Sequence, residues 1–231
     1  MAISVGRRSP LSLITWMPIS ASTMRLRPGH ITVFALACAV GIQPGDVTAQ
    51  TSQRLSVQAS GIYADLFGDE FGTLNAGVGF ELQLRYTPSA LSIGGGLQYT
   101  IHGDSEAEAD GHDADINLLG VFVEPRYVIN TRSERVAPYV SARLALARFD
   151  VRVEFSDGEV LTFTANGGTF NGGGGLLIRL TPRMNLDLGA TAGYTSYEDT
   201  EGSVGGQQFE TQLGSGTNLV VRVGVAVGLG G

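Results

Sequence analysis

The chain has 231 residues, 33 of them glycine, with 43% hydrophobic and 16% charged residues and a formal net charge of −7. Glycine at that density argues against a helix-rich fold, since each one weakens a helix interior by about 1 kcal/mol. The apolar content is too high for disorder, and the acidic balance speaks against a nucleic-acid partner.

The longest apolar stretch, Ile31 to Ile42, falls short of the ~20 residues a membrane-spanning helix needs. Arg25 and Arg27 precede it, and Val47-Thr48-Ala49 forms a small-residue cleavage site before Gln50. A basic region, a short apolar core and a small-x-Ala site, in that order, make a secretory signal peptide over residues 1–49. Met24 stands directly before the basic region and offers a second start. A buried core helix would explain the apolar stretch but not the order of the three parts. A twin-arginine reading of Arg7-Arg8 fails because Pro10 stands where an aromatic is wanted, and a lipoprotein reading of Cys38 meets Ala35 in place of leucine. The remaining 50–231 contains neither cysteine nor tryptophan, so no disulfide framework stabilises it.

From Leu55 onward, apolar and polar residues alternate with period 2 over about ten residues at a time, the pattern of transmembrane strands. The first segment sets Leu55, Val57, Ala59, Gly61 and Tyr63 against Ser56, Gln58 and Ser60. The second sets Val78, Phe80, Leu82, Leu84 and Tyr86 against Glu81, Gln83 and Arg85. The third runs from Leu91 to Ile101 with Gln98, Thr100 and His102 opposite, and the fourth from Leu119 to Ile129 with Glu124 and Arg126 opposite. Val140 to Leu146 face away from Ser141 and Arg143 in the fifth. Phe170 to Leu180 face away from Asn171 and Arg179 in the sixth, and Leu186 to Tyr194 from Asn185 and Asp187 in the seventh. The eighth sets Leu219 to Leu229 against Asn218 and Arg222.

Connections 87–90, 130–138 and 181–183 are short, whereas 64–75, 103–115, 150–168 and 196–216 are long. Short turns at one end and long loops at the other are the layout of an outer-membrane barrel. A soluble β-sandwich also alternates, but three features favour the membrane. Charges stand in mid-strand on the expected inner faces: Glu81, Arg85, Glu124, Arg126, Arg143, Arg179, Asp187 and Arg222. They are tolerable there only if paired, as an ion network inside a narrow barrel would pair them. Tyr63, Tyr99 and Tyr194 fall at the long-loop end and Tyr86 and Tyr127 at the turn end, as interfacial girdles would. Finally, 17 of the 21 acidic residues after position 49 lie in the long loops, while Arg132, Arg135 and Arg183 lie in the turns. Inward glycines (Gly94, Gly96, Gly173, Gly175, Gly189, Gly193, Gly224, Gly228) would make room for the long arginines. The run Gly172–Gly175 lacks the lysine and helix of a phosphate-cradling loop.

These segments resemble the eight-stranded outer-membrane β-barrel family typified by the transmembrane domain of OmpA and by OmpX and Ail. The likeness rests on Gly120-Val-Phe-Val-Glu-Pro-Arg-Tyr127, Ala137-Pro-Tyr-Val140, Gly172-Gly-Gly-Gly-Leu-Leu177, Thr181-Pro-Arg183 and Leu186-Asp-Leu188. It implies an all-β, eight-stranded antiparallel up-and-down transmembrane β-barrel over 50–231. It also implies a place in the bacterial outer membrane amid lipid and lipopolysaccharide, reached through the barrel-assembly machinery. One departure is the end of the chain: the family usually closes on an aromatic residue, and here Val227-Gly-Leu-Gly-Gly231 does so. With no further domain after the eighth segment, a peptidoglycan-anchoring role does not carry over.

No catalytic, cofactor-binding or metal-ligating residue is assigned from the sequence. Some barrels of this size resemble lipid A deacylases or palmitoyltransferases, which use a histidine and a serine near the outer rim. His102, Ser105 and Asp104 could be combined into such a triad, with His112 nearby. Loops rich in Ser, Asp and Gly produce that combination by chance, and a solvated loop is the preferred reading. The six carboxylates between Gly103 and Asp115 do not match a calcium-loop pattern. They could hold a divalent cation weakly, but a hydrated acidic loop above an anionic surface accounts for them better. The expectation is therefore a non-enzymatic barrel whose acidic external loops serve surface interaction or envelope integrity. A small pore is the alternative, and a lipid-modifying enzyme a third reading.

Overall fold

The structure is a computed structural model that describes residues 53–68, 71, 74–103, 113–131, 133–154, 160–204, 207–212 and 214–230. The expected signal segment, residues 1–49, lies outside them. Among the described residues every regular element is a strand: β1 Leu55–Phe67, β2 Gly77–Tyr86, β3 Leu91–His102, β4 Asp113–Val128, β5 Val136–Glu154, β6 Val160–Thr181, β7 Met184–Tyr197, β8 Asp199–Val204, β9 Gln207–Gln212 and β10 Ser215–Leu229. β1 to β7 pair antiparallel in succession, β7 pairs with β10, and β10 pairs with β1. Eight strands thus close into an up-and-down barrel, which leaves no edge among them. The remaining two form a hairpin, β8–β9, attached to β6 at Leu161–Thr164.

The paired residues also fix the stagger. Following the ladder round from Val57 passes Leu84, Gly95, Val123, Leu144, Phe170, Tyr194 and Thr217 and returns to β1 at Phe67, ten residues on. At ~3.3 Å per residue and ~4.8 Å between strands, that stagger tilts the strands by about 40°. Each step along the ladder therefore climbs by a little over one residue. With that slope Tyr63, Phe80, Tyr99, Phe170 and Tyr194 arrive at nearly one level near the loop end. Tyr86 and Tyr127 share a second level near the turns. The two expected girdles are present, with phenylalanines joining the upper one.

Between these levels the wall is inside-out by the standards of a soluble protein. Leu146 is 70% exposed and Leu82 is 50% exposed, whereas Glu124 is fully buried. Leaving one large apolar side chain in water forgoes about 1.5–3 kcal/mol of burial. A continuous wall of them is stable only against hydrocarbon, and the outward face is a membrane surface.

The long connections differ from expectation. Residues 150–168 contain the ends of β5 and β6, which continue as a paired hairpin up to Glu154↔Val160. Residues 196–216 hold the β8–β9 hairpin. Val151 and Phe163 keep the period-2 pattern going beyond the girdle, so pairing continues past the level at which the wall leaves the membrane. The outcome is a sheet of β5, β6, β8 and β9 projecting beyond the wall, with β9 at its edge.

Candidate functional site

The barrel's interior is a belt of ionised side chains contributed by β2, β4, β5, β7 and β10. Period 2 turns Glu81 and Arg85 of β2, Glu124 and Arg126 of β4, Arg143 of β5, Asp187 of β7 and Arg222 of β10 toward the axis. Each is 6% exposed or less. Glu124 stands at the centre. Its Oε1 accepts from Arg126 Nε at 2.5 Å and Arg222 Nη2 at 2.8 Å, and its Oε2 from Arg222 Nη1 at 2.6 Å and Arg143 Nε at 3.0 Å. Arg85 Nη2 reaches Glu124 Oε1 at 3.4 Å. One carboxylate therefore holds four arginines.

Two flanking acids complete the belt. Glu81 Oε2 accepts from Arg143 Nη2 at 2.5 Å. Asp187 Oδ2 pairs with Arg126 Nη1 at 2.8 Å and accepts from Gln58 Nε2 at 2.7 Å, while its Oδ1 accepts from Tyr139 Oη at 2.7 Å. Cation–π contacts add to the pairing: the Arg143 guanidinium carbon lies 3.9 Å from the Phe122 ring centre and that of Arg126 4.5 Å from the Tyr139 ring centre. Such pairs are stable in a low-dielectric interior only because nearly every lone pair has a donor.

Seven of the eight mid-strand charges of the sequence meet here. The eighth, Arg179, sits beyond the belt toward the turns and is half-buried. Tyr139 and Gln58 carry no charge to mark them as belt residues, although both lie at inward positions of the alternation around Val140 and Val57. The glycine expectation holds at particular sites. A Cβ on Gly94 would stand 2.7 Å from Arg85 Nη2, and one on Gly189 would stand 2.8 Å from Arg222 Nε, so both glycines vacate space that an arginine fills. At Gly96 the nearest obstacle is instead the Leu82 carbonyl of the neighbouring strand, with the Phe122 ring next to it at 2.9 Å.

Toward the loops the interior turns apolar, a change that the period-2 pattern does not announce. Leu66, Phe71, Ile116, Leu118, Phe149, Val151, Ala165 and Tyr197 form a buried cluster over the lumen, with Leu74 and Phe163 packed on it. Between this cap and the belt lies a chamber of about 40 Å³ whose lining includes Thr100, His102, Asn171 and Asn218. A second, of about 30 Å³, lies on the turn side of the belt. The lumen thus holds two small chambers separated by a wall of ion pairs.

His102 faces this interior and is buried, on the inward side of β3 where the alternation places it and not in a solvated loop. Its Nδ1 donates to the Asn75 carbonyl at 3.1 Å, so in the neutral ring Nε2 accepts from Thr100 Oγ1 at 3.0 Å. Both nitrogens are committed to structural bonds. Asp104, Ser105 and His112 lie outside the described residues, as do the carboxylates Glu106, Glu108 and Asp110. Asp113 and Asp115 fall in β4 without described side chains. Among the described residues no group of three potential ligands is placed to hold a metal ion.

A closed eight-stranded wall, apolar outside and ionic inside, is the architecture expected of one family, and the family model for the outer membrane protein beta-barrel domain matches residues 32–226. The chain belongs to the outer-membrane β-barrel domain family. Among solved structures this outer-membrane barrel is similar to Neisserial surface protein A, at a TM-score of 0.52 and 22% identity, with 76% of this chain and 97% of that one covered. It is also similar to a major outer membrane protein from Thermus thermophilus, at a TM-score of 0.55 and 12% identity, covering 75% of this chain and 98% of that one. At such identities the likeness is one of fold. No curated protein matches the chain in sequence.

Proposed function

We propose that this outer-membrane barrel is a non-conducting, non-enzymatic protein that acts through its external face, in surface interaction or envelope integrity. The observation that carries this reading is the belt. Glu124 and its four arginines fill the cross-section that an aqueous pore would need, in a barrel whose bore is only wide enough for side chains. What is left for contact is the outside, where β5, β6, β8 and β9 project and β9 offers an edge strand to an extended partner. The commitment of both His102 nitrogens supports a role without catalysis. On this reading the long connections, which carry 17 of the 21 acidic residues after position 49, give that external face its negative charge.

The second reading, a small pore, has the inward glycines in its favour. Planar-bilayer recording separates the two: the protein is expected to give no stable conductance steps, and reproducible steps would overturn the plugged lumen.

The apolar wall is in contact with outer-membrane lipid and lipopolysaccharide on this reading, after export directed by residues 1–49 and insertion by the assembly machinery. The outer-membrane form is then expected to begin at Gln50. Mass spectrometry of the membrane-extracted protein checks it, and a retained segment 24–49 would count against the export signal.

A further inference from the structure

The charges in the belt do not balance. Among the described residues, four arginines, Arg85, Arg126, Arg143 and Arg222, are buried there against three carboxylates, Glu81, Glu124 and Asp187. One positive charge is in excess inside a lumen sheathed by hydrocarbon, where an uncompensated ion is costly.

The contacts locate the excess on the turn side. Arg143 shares Glu81 and Glu124, Arg222 is forked on Glu124, and Arg126 spans Glu124 and Asp187. Arg85 touches a carboxylate only at 3.4 Å, and that oxygen already serves Arg126 and Arg222. Arg126 Nη2 has no hydrogen-bond partner among the described residues, although the side chain is only 2% exposed. Both arginines line the turn-side chamber of about 30 Å³, whose other polar walls include Ser56, Thr87, Ser92 and Asn185. Among the described residues no carboxylate lines it. The volume exceeds the roughly 10–15 Å³ a single water needs. A buried arginine with an unpartnered donor in the wall of a carboxylate-free chamber, beside one unit of uncompensated positive charge, is the chemistry of an anion site.

We propose that the turn-side chamber binds one chloride-class monovalent anion, held by Arg126 Nη2, with Arg85 contributing its charge while its own donors stay on Gln83, Ser92 and Glu124. The ion supplies the charge the belt lacks and enters from the turn end, where the chamber lies. A divalent anion would overshoot the single excess charge, so the site favours halides.

The test uses the protein extracted from membranes into detergent, with thermal unfolding followed by circular dichroism in chloride, bromide or gluconate at matched ionic strength. Chloride and bromide are expected to raise the midpoint saturably by about 5 °C, as a ligand specific to the folded state does, and gluconate is not. The substitution Asn185→Asp places a carboxylate in the chamber wall. It is expected to keep the higher midpoint and to abolish the halide response. Equal midpoints for the unmodified protein in all three salts would mean that water alone occupies the chamber and would overturn the proposal. So would a halide response that survives in Asn185→Asp. Should that variant fail to fold, crystals of the unmodified protein grown in bromide decide the matter: an anomalous peak beside Arg126 Nη2 supports the site, and its absence refutes it.

Discussion

Glu124→Gln is expected to cost about 3–5 kcal/mol of folding free energy, the scale for removing one partner from a buried ion pair, and to block assembly of the barrel in much of the population. The side chain keeps its shape, so the loss is one of charge. Four arginines would then face only Glu81 and Asp187, with Arg85 left without any carboxylate contact. Urea unfolding in phospholipid vesicles measures the free energy, and migration of the unboiled protein on SDS gels reports the folded fraction. Glu134→Gln, at an exposed position in the turn, is the control and should change neither. Coupling Glu124→Gln with Arg222→Gln should recover part of the loss, because the pair is forked at 2.6 and 2.8 Å and its two members are not independent. If Glu124→Gln folds with unchanged stability, the belt does not hold the lumen together.

Leu82→Arg carries the second large effect, with the opposite logic. Leu82 is half-exposed on the outer wall between the two girdles. On a water-facing surface, exchanging an exposed leucine for arginine is close to neutral. At the middle of a bilayer it costs about 2–4 kcal/mol. The same vesicle titration reads it, and a free energy equal to that of the parent would place this wall in water. The neighbouring position makes the contrast sharper: Gln83 is buried, and its Oε1 accepts from Arg85 Nη2 at 3.1 Å. One step along β2 thus moves from the lipid face to the ionic lumen.

That single-step change of face explains how much of the barrel could be read from the chain. Strand geometry alternates side chains locally, so Leu82, Gln83 and Leu84 declare their faces without any knowledge of their neighbours. The girdle tyrosines, the short turns at one end and the inward charges follow from the same rule. The rule ends where meaning depends on context. Ile62, Leu66, Leu118 and Phe149 are apolar on the inward face, and a local pattern cannot distinguish an apolar cap over a lumen from a break in a strand. Likewise Val151 and Phe163 continue a strand inside a stretch rich in loop residues, because β5 and β6 have each other to pair with.

By itself the sequence determined that these are strands, which side of each meets lipid, and that the opposite side carries ions needing partners. Those properties follow from the pleat and the cost of burying charge. Only the tertiary structure decided which ions meet. Glu124 and Arg222 lie 98 positions apart, and the ten-residue stagger of the closed ladder brings them to one level. The stagger is a property of all eight registers together, so it is written in no single strand. From it come the four arginines on one carboxylate, the place of Tyr139 beside Asp187, and the chamber where the fourth positive charge has no carboxylate of its own.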